Sequence, residues 1–225
     1  MSRYSVSHSE GKYASGSDDL VLENKLGITR AEDMDGAELV LLEQLYHTVF
    51  EERFPSGKIS FSRIKHWHRI WLGNIYEWAG QIRTVNISKQ GFMFAPAAQL
   101  QKLISSFEKN YLATYTPCQG MDIDHLAKAI AVVHVELILI HPFREGNGRL
   151  ARLLADVMAV QGGRGPLNYQ SWEHNKARYT AAIHAGMVMN YNPMMQWVMK
   201  ALEDQKAKRR WANFLRWIFK EASTD

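Results

Sequence analysis

The sequence predicts an all-α domain carrying one small β-hairpin, and three observations predict it. Apolar residues recur at the helical period along most of the chain, as at Leu39, Leu42, Leu45, Tyr46 and Val49. Spacings of three and four put such residues on one face of a helix. One stretch, Thr84 to Phe94, changes period: Val85 and Ile87 alternate with polar neighbours, Lys89-Gln90-Gly91 signals a turn, and an aromatic limb follows. Finally, nearly every residue from Ile123 to Ile140 is apolar, which suits a helix buried on most faces at the centre of a bundle.

Composition sets the limits. The chain has 225 residues, 46% hydrophobic and 22% charged, near the averages for globular proteins. A chain of this length buries roughly 70% of the surface its unfolded form exposes, so a real core needs no staples. Disorder, collagen-like repeats and a disulfide scaffold are excluded. The single cysteine, Cys118, cannot pair within the chain, so nothing points to an oxidising compartment. The apolar stretch from Ala129 to Ile140 is interrupted by His134 and Glu136 and falls short of the ~20 residues that span a bilayer. The opening MSRYSVSHSEGKY lacks the apolar centre of a secretory signal. A cytoplasmic protein without a membrane partner is expected, the alternative being an effector delivered into a host cell. Net charge is +4, from 27 basic and 23 acidic residues, and the one basic cluster is Lys206 to Arg210. That cluster reads as a solvated helix face, and nucleic acid is not expected as a partner.

The elements follow in order. Residues 1–19, rich in serine, read as a loose arm. The folded domain is expected over 20–202, and a basic, aromatic helix over 203–225, clearest from Lys206 to Glu221. Thr29-Arg-Ala-Glu32 offers a capping box for a helix running to about Phe54, where Pro55-Ser-Gly57 stops it. A second helix is expected from about Ser62 to Tyr76, with Ile64, Trp67, His68, Trp71 and Ile75 on one face. After the hairpin, Pro96 opens a third helix to about Tyr111, with Leu100, Leu103 or Ile104, and Phe107 inward. Thr116 to Gly120 is a loop, and the apolar helix from Ile123 must end before Pro142. The next helix starts near Gly148 and stops at Gly162-Gly163. Ser171 is expected to cap a helix to about Met189, and Asn192-Pro193 to open another.

Chemistry concentrates between the two central helices, in His141-Pro-Phe-Arg-Glu-Gly-Asn-Gly-Arg-Leu-Ala-Arg152. A histidine ends one buried helix, and a glycine-bracketed loop leads into the N-terminus of the next. Exposed backbone N–H groups there make an anion site that glycines let a ligand approach. Arg149 and Arg152 lie three apart, share a face and can clamp phosphate oxygens. Glu145 sets a carboxylate beside them, where a hard cation such as Mg²⁺ is held by one or two carboxylates plus substrate phosphates. His141 is the side chain there able to act as a base near neutral pH. Together these are the parts for nucleotidyl or phosphoryl transfer. Each residue alone could serve only a tight corner between core helices; the whole constellation argues against that.

These residues resemble the signature of the Fic family, H-x-F-x-[DE]-G-N-G-R-x-x-R, at His141, Phe143, Glu145, Gly146, Asn147, Gly148, Arg149 and Arg152. Tyr76 to Arg83 resembles the segment leading into that family's flap, and the hairpin of 84–94 resembles the flap itself. The resemblance implies adenylylation, the transfer of AMP from ATP to a hydroxyl of a target protein with release of pyrophosphate. In that scheme His141 is the base, and Glu145 holds Mg²⁺ against the α- and β-phosphates. Asn147 with the backbone of Gly146 and Gly148 forms the anion hole. Arg149 and Arg152 hold the outer phosphates, and Phe143 anchors the loop.

The resemblance extends to partners and control. An extended target segment would pair with the flap edge at Asn86, Ile87, Ser88 and Lys89, with Met93 clamping target or nucleotide. Phe94 reads more simply as closing the core beneath. Asn175 and Tyr179, one turn apart, are expected to face the adenine. His66 and His68 face different directions and make no metal pair, and His134 reads as a core histidine. Two alternatives stay open: another donor such as UTP or GTP, and a non-catalytic module that docks a partner through the flap. Family relatives resembling this chain include toxins acting on type II topoisomerases, and effectors acting on small GTPases. Many members also carry an inhibitory [ST]-x-x-x-E-[GN] helix whose glutamate meets the second motif arginine. Glu10-Gly11 and Glu23-Asn24 fail that pattern, and Glu145-Gly146 belongs to the motif. The inhibitory glutamate is therefore expected from a separate small antitoxin-like protein that meets Arg152.

Overall fold

The computed structural model describes the backbone of residues 5–6 and all of residues 12–89 and 91–203. The basic helix expected from Lys206 to Glu221 lies outside the described residues. At the centre runs α5 (Ile123–Ile140), opened by Asp122, whose side chain accepts from the His125 N–H. It is buried on most faces, as its composition demands. Helices α6 (Asn147–Gln161) and α9 (Asn192–Glu203) pack along it. On the far side of α6, α1 (Ala31–His47) and α2 (Phe61–Leu72) pack on each other, and α2 reaches α6. Helix α1 continues into a π turn, Thr48–Glu52. Helix α3 (Leu100–Phe107) runs through a second π turn, Glu108–Leu112, into the short α4 (Ala113–Tyr115). After α6 come α7 (Gln170–His174) and α8 (Lys176–Ala185). One contiguous core joins them, with Trp71, Trp172, Phe107 and Phe143 among its fully buried side chains. Truncating an aromatic of that kind to alanine typically costs ~3–5 kcal/mol.

The hairpin is present as β2 (Ile87–Lys89) and β3 (Phe92–Met93), with Ser88 opposite Met93 and Lys89 opposite Phe92. A third strand, β1 (Ser5–Val6), pairs antiparallel with the other edge of β2. Val85 and Ile87, with Phe94 against them, form a small apolar cluster separate from the main core.

Several sequence expectations differ from the structure. Thr29 does not cap α1: Arg30 occupies the N-cap with no side-chain cap, and the Glu32 carboxylate is 2.8 Å from the Arg30 guanidinium rather than on a backbone N–H. Helix α2 ends at Leu72, four residues early, and its cap is Ser60, whose hydroxyl accepts from Arg63 N–H. Ser171 is not a cap either. It falls inside α7, behind Tyr169, and the expected single helix breaks at Asn175 (φ −128°, ψ 47°). In its described part the serine-rich arm is tied down, since Ala14 N–H donates to Val21 O and Glu23 N–H to Lys12 O. The buried Ser17 hydroxyl secures the same ribbon by donating to Val21 O at 3.2 Å.

Candidate active site

Helix α5 ends at His141, whose backbone is left-handed (φ 50°, ψ 61°) and whose N–H closes the last turn on Leu137 O. A non-glycine residue there costs roughly 1–2 kcal/mol, so something must hold it. Arg83 does. Its Nε donates to His141 O at 2.7 Å and its two terminal nitrogens reach Val85 O at 2.5 Å, Ala95 O at 2.6 Å and Ile140 O at 3.4 Å. Arg83 N–H also donates to Pro142 O. One buried guanidinium thus joins the C-terminal end of α5 to both limbs of the hairpin, where cations offset the helix dipole. Burial, with Arg144 nearby, lowers the Arg83 pKa to about 10.

The His141 ring is buried. Its Nδ1 lies 3.0 Å from Ile138 O; a carbonyl can only accept, so Nδ1 carries the proton and Nε2 carries the lone pair. Burial pushes its pKa down to about 3, which keeps the ring neutral, the form a base needs. Phe94 stacks on it with ring centroids 3.7 Å apart.

The loop after His141 is shaped by its own side chains. Asn147 Oδ1 accepts from Phe143 N–H at 2.9 Å, and its Nδ2 donates to Phe143 O at 2.8 Å. With both ends of its amide committed and only 1% exposed, Asn147 braces the loop and its side chain does not line the cavity. Phe143 packs on His68, centroids 4.1 Å apart. Gly80 N–H donates to His68 Nδ1 at 2.7 Å, so Nε2 carries the proton and donates to Glu145 O at 3.1 Å. The two glycines do different work. Gly146 has φ +81°, and a Cβ there would lie 2.7 Å from Trp71 Cζ3, whereas a Cβ on Gly148 would meet no protein atom within 4 Å.

Both motif arginines are held by carboxylates that sequence reasoning missed. Arg149 pairs with Glu38 of α1, which is 1% exposed and accepts from Tyr76 OH at 2.8 Å. The Arg149 guanidinium also sits 4.6 Å over the Trp71 ring and 3.7 Å from Glu145. Arg152 pairs with Glu173 of α7 at 2.5 Å and lies 5.0 Å over the Tyr169 ring. Tyr169 OH in turn lies 2.9 Å from Asp156, which also accepts from Tyr46 OH and Leu167 N–H. Burial raises the Asp156 pKa to about 7.

These groups surround a cavity of about 540 Å³, within the ~300–1,000 Å³ usual for small-ligand sites. His141, Glu145, Gly146, Gly148, Arg149 and Arg152 form one wall, Tyr179 another, and Lys89, Phe92 and Phe94 of the hairpin a third. Tyr179 is fixed by His134: His134 Nδ1 donates to Ala151 O, so Nε2 accepts from Tyr179 OH at 2.8 Å. His134 is therefore more than core filling.

Three expectations do not hold in place. Asn175 is exposed at the break between α7 and α8, donates to Ser171 O and is absent from the cavity wall. Its expected helical register was lost with the break. Ile87 is buried at 1% under the hairpin and stands opposite Val6 of β1, so the strand pairing expected of its backbone requires that β1 yield. The edge of β2 is already paired with β1 over Ser5 and Val6. Of the other hairpin residues, Asn86 Oδ1 accepts from Ala97 N–H at 2.8 Å, Ser88 is half-buried, and Met93 is 61% exposed. Phe94, expected only to close the core, covers His141. Its position just after an alternating limb was the available signal.

Glu145 is the carboxylate that could hold a cation. One of its oxygens accepts from Gly146 N–H at 2.9 Å, and the group lines the cavity beside the anion loop. Among the described residues no three His, Cys, Asp or Glu side chains cluster as a metal cage. The donor set fits Mg²⁺ bound by one carboxylate together with phosphates of a nucleotide.

Residues 58–159, which hold the motif, match the Fic/DOC family, and this stretch is similar to part of several protein adenylyltransferases. The chain is 33% identical over 108 residues to the protein adenylyltransferase VbhT of Bartonella schoenbuchensis, 48% of this chain and 22% of that protein. It is 30% identical over 148 residues to the protein adenylyltransferase fic-1 of Caenorhabditis elegans, 65% of this chain and 28% of that protein. This chain thus spans only about a quarter of the length of those curated relatives. The fold is shared with the BepC effector of Bartonella tribocorum, solved with bound AMPPNP, at TM-score 0.66 and 22% identity over 80% of this chain and 91% of that one. An N-terminal Fic domain from Bartonella quintana, solved with ADP, superposes at TM-score 0.68 and 23% identity, covering 84% and 92%. Among the described residues no helix is long and apolar enough to cross a membrane.

Proposed function

We propose that this chain is a protein adenylyltransferase that moves AMP from ATP to a Ser, Thr or Tyr hydroxyl of a target protein. One observation carries the reading: a neutral, buried His141 shares a cavity wall with the glycine loop and both motif arginines. The hydroxyl oxygen bonds to the α-phosphorus while its proton passes to His141 Nε2. The bond from the α-phosphorus to the bridging oxygen breaks, and pyrophosphate leaves with that electron pair. Gly148, and Gly146 once its N–H leaves the Glu145 carboxylate, would present backbone N–H groups to the phosphates at the start of α6, where the helix dipole favours negative charge. Arg149 and Arg152 face the remaining phosphate charge. Glu145 would hold Mg²⁺, which when bound offsets phosphate charge. Tyr179, oriented by His134, is the aromatic wall available to the base.

A target segment is proposed to add as a strand at the hairpin through Asn86, Ser88, Lys89 and Met93, which requires that Ser5–Val6 yield the edge of β2 or that β3 be used instead. A small partner placing a glutamate on Arg152, the antitoxin-like reading, would have to displace Glu173. The test is transfer of α-labelled ATP with Mg²⁺ into a lysate. Labelled protein is expected with this chain and a loss of ~10²- to 10⁴-fold with His141→Ala. Activity of a folded His141→Ala within about threefold of the parent would defeat the assignment. Competition by unlabelled GTP and UTP reads the base preference, and the labelled band identifies the target, a topoisomerase or small GTPase being the classes to examine first.

A further inference from the structure

A second cavity, of about 490 Å³, shares no wall residue with the first. Its wall includes Lys12, Glu23, Lys25, Glu77, Trp78 and Arg144. Arg144 stands inside the motif between Phe143 and Glu145, yet its side chain lines this second cavity while Glu145 lines the first. It is only 6% exposed, and its Nε and Nη2 are buried with no hydrogen-bond partner among the described residues. A buried guanidinium without an acceptor is unfavourable, because desolvation is not offset. Arg83 shows the contrast: all its nitrogens are spent on backbone carbonyls.

The two unpartnered nitrogens define one edge of the guanidinium plane. That edge matches two oxygens of one carboxylate or phosphate, in parallel charge-assisted bonds. The wall carries three cationic side chains, Lys12, Lys25 and Arg144, against two carboxylates, Glu23 and Glu77, a net positive balance. Lys12 and Lys25 are exposed at the same cavity. Lys25 Nζ bonds Gly73 O at 2.9 Å and pairs with Glu77 at 3.3 Å, but Glu77 is itself 85% exposed, so that pair exchanges readily with solvent. Trp78, stacked on Tyr76 with centroids 4.3 Å apart, gives the cavity a rigid flat wall.

We propose that this cavity is a second, oxyanion-binding site in which a carboxylate or phosphate group docks side-on against Nε and Nη2 of Arg144 when the side chain turns that covered edge toward the cavity. Occupancy would fix the motif loop from the side opposite its nucleotide-facing residues, since Arg144 is bonded in sequence to both Phe143 and Glu145.

The experiment uses the full chain with ¹⁵N-labelled arginine, reading the Nε–H resonance of Arg144, assigned by its loss in Arg144→Lys. Inorganic phosphate and sodium acetate are titrated separately at constant ionic strength. A saturable shift is expected for at least one anion, with half-saturation on the order of millimolar, and the anion that saturates first tells phosphate from carboxylate. Phosphate bound at Arg149 and Arg152 would move their own resonances, not this one. A second reading does not depend on Arg144→Lys folding: the anion should raise the melting temperature of the parent, and Lys12→Ala/Lys25→Ala should lose most of that rise. A linear or absent response of Arg144 to both anions would overturn the proposal, as would an equal rise in melting temperature with and without the two lysines.

Discussion

Arg83→Met tests how His141, the proposed base, is held. The substitution keeps the aliphatic stem but removes a guanidinium that donates to His141 O, Val85 O and Ala95 O at 2.7, 2.5 and 2.6 Å. Three short bonds vanish, and each buried acceptor left without a donor costs ~1–3 kcal/mol. Against that, a buried cation is itself unfavourable. The lowering of its pKa to about 10 corresponds to roughly 3 kcal/mol at about 1.36 kcal/mol per unit. The net expected loss is therefore ~3 kcal/mol, or a fall of ~6–12 °C in melting temperature for a domain of this size. Because His141 sits in a left-handed conformation that Arg83 holds through its carbonyl, transfer should fall too. A misplacement near 1 Å can cost ~10²-fold, so a drop in kcat of at least tenfold is expected well below the melting point, with KM for ATP little changed. Arg83→Lys, a point donor that cannot span the set, should recover part of the stability and little of the rate. Thermal unfolding and label transfer at saturating ATP read both effects. A melting temperature within about 2 °C of the parent would refute the energetic argument. Lowered stability with unchanged kcat would refute the positioning role.

Further expectations concern the loop, the second arginine and acid stability. Gly146→Ala should unfold or strongly destabilise the domain, because its Cβ meets Trp71 at a positive φ, whereas Gly148→Ala should melt normally and lose nucleotide affinity; equal stability losses would sink the distinction. Glu173→Gln frees Arg152 and should lower KM for ATP several-fold; a raised KM would mean that Glu173 aims the guanidinium instead. Burial lowers the pKa of His68 and His134 to about 4 and of His141 to about 3, so between those values and about 6.5 the unfolded chain binds more protons and stability falls as pH drops. Asp156, raised to about 7, opposes this, being more favourable protonated, and the balance predicts a loss of roughly 3 kcal/mol from pH 7 to 5; a flat or rising melting curve on acidification would contradict it.

What the sequence disclosed and what it hid follow from the range of the forces involved. Helix α5 was legible because eighteen consecutive positions carry their burial in their own composition. The motif loop was legible because glycines, histidine and arginines stand together in the chain. The bracing role of Asn147 was not legible, since an amide beside a glycine loop looks like a ligand group and only the fold shows it bonded to Phe143. Glu38 and Glu173 were invisible because each pairs with an arginine from another helix, Glu38 lying 111 residues from Arg149. Arg83 carried no signal either, as its partners are all backbone carbonyls, which every residue possesses. The break at Asn175 went unseen because no glycine or proline marks it.

The stacking of Phe94 on His141 makes the hairpin's position a proton-linked variable. The imidazole is held near a pKa of 3 by burial, and Phe94 supplies part of that cover at 3.7 Å. Any opening of the hairpin that brought water to the ring would return its pKa toward 6.5. The open form would then bind a proton that the closed form refuses, and mild acid would bias the hairpin outward by up to about 1.36 kcal/mol per pH unit. Val85, Ile87 and Phe94 cluster apart from the main core, so such a movement need not unpack the helices. A protein bound against the closed hairpin should therefore exclude protons from His141, and its affinity should weaken below about pH 6.5 even if it carries no titrating group of its own.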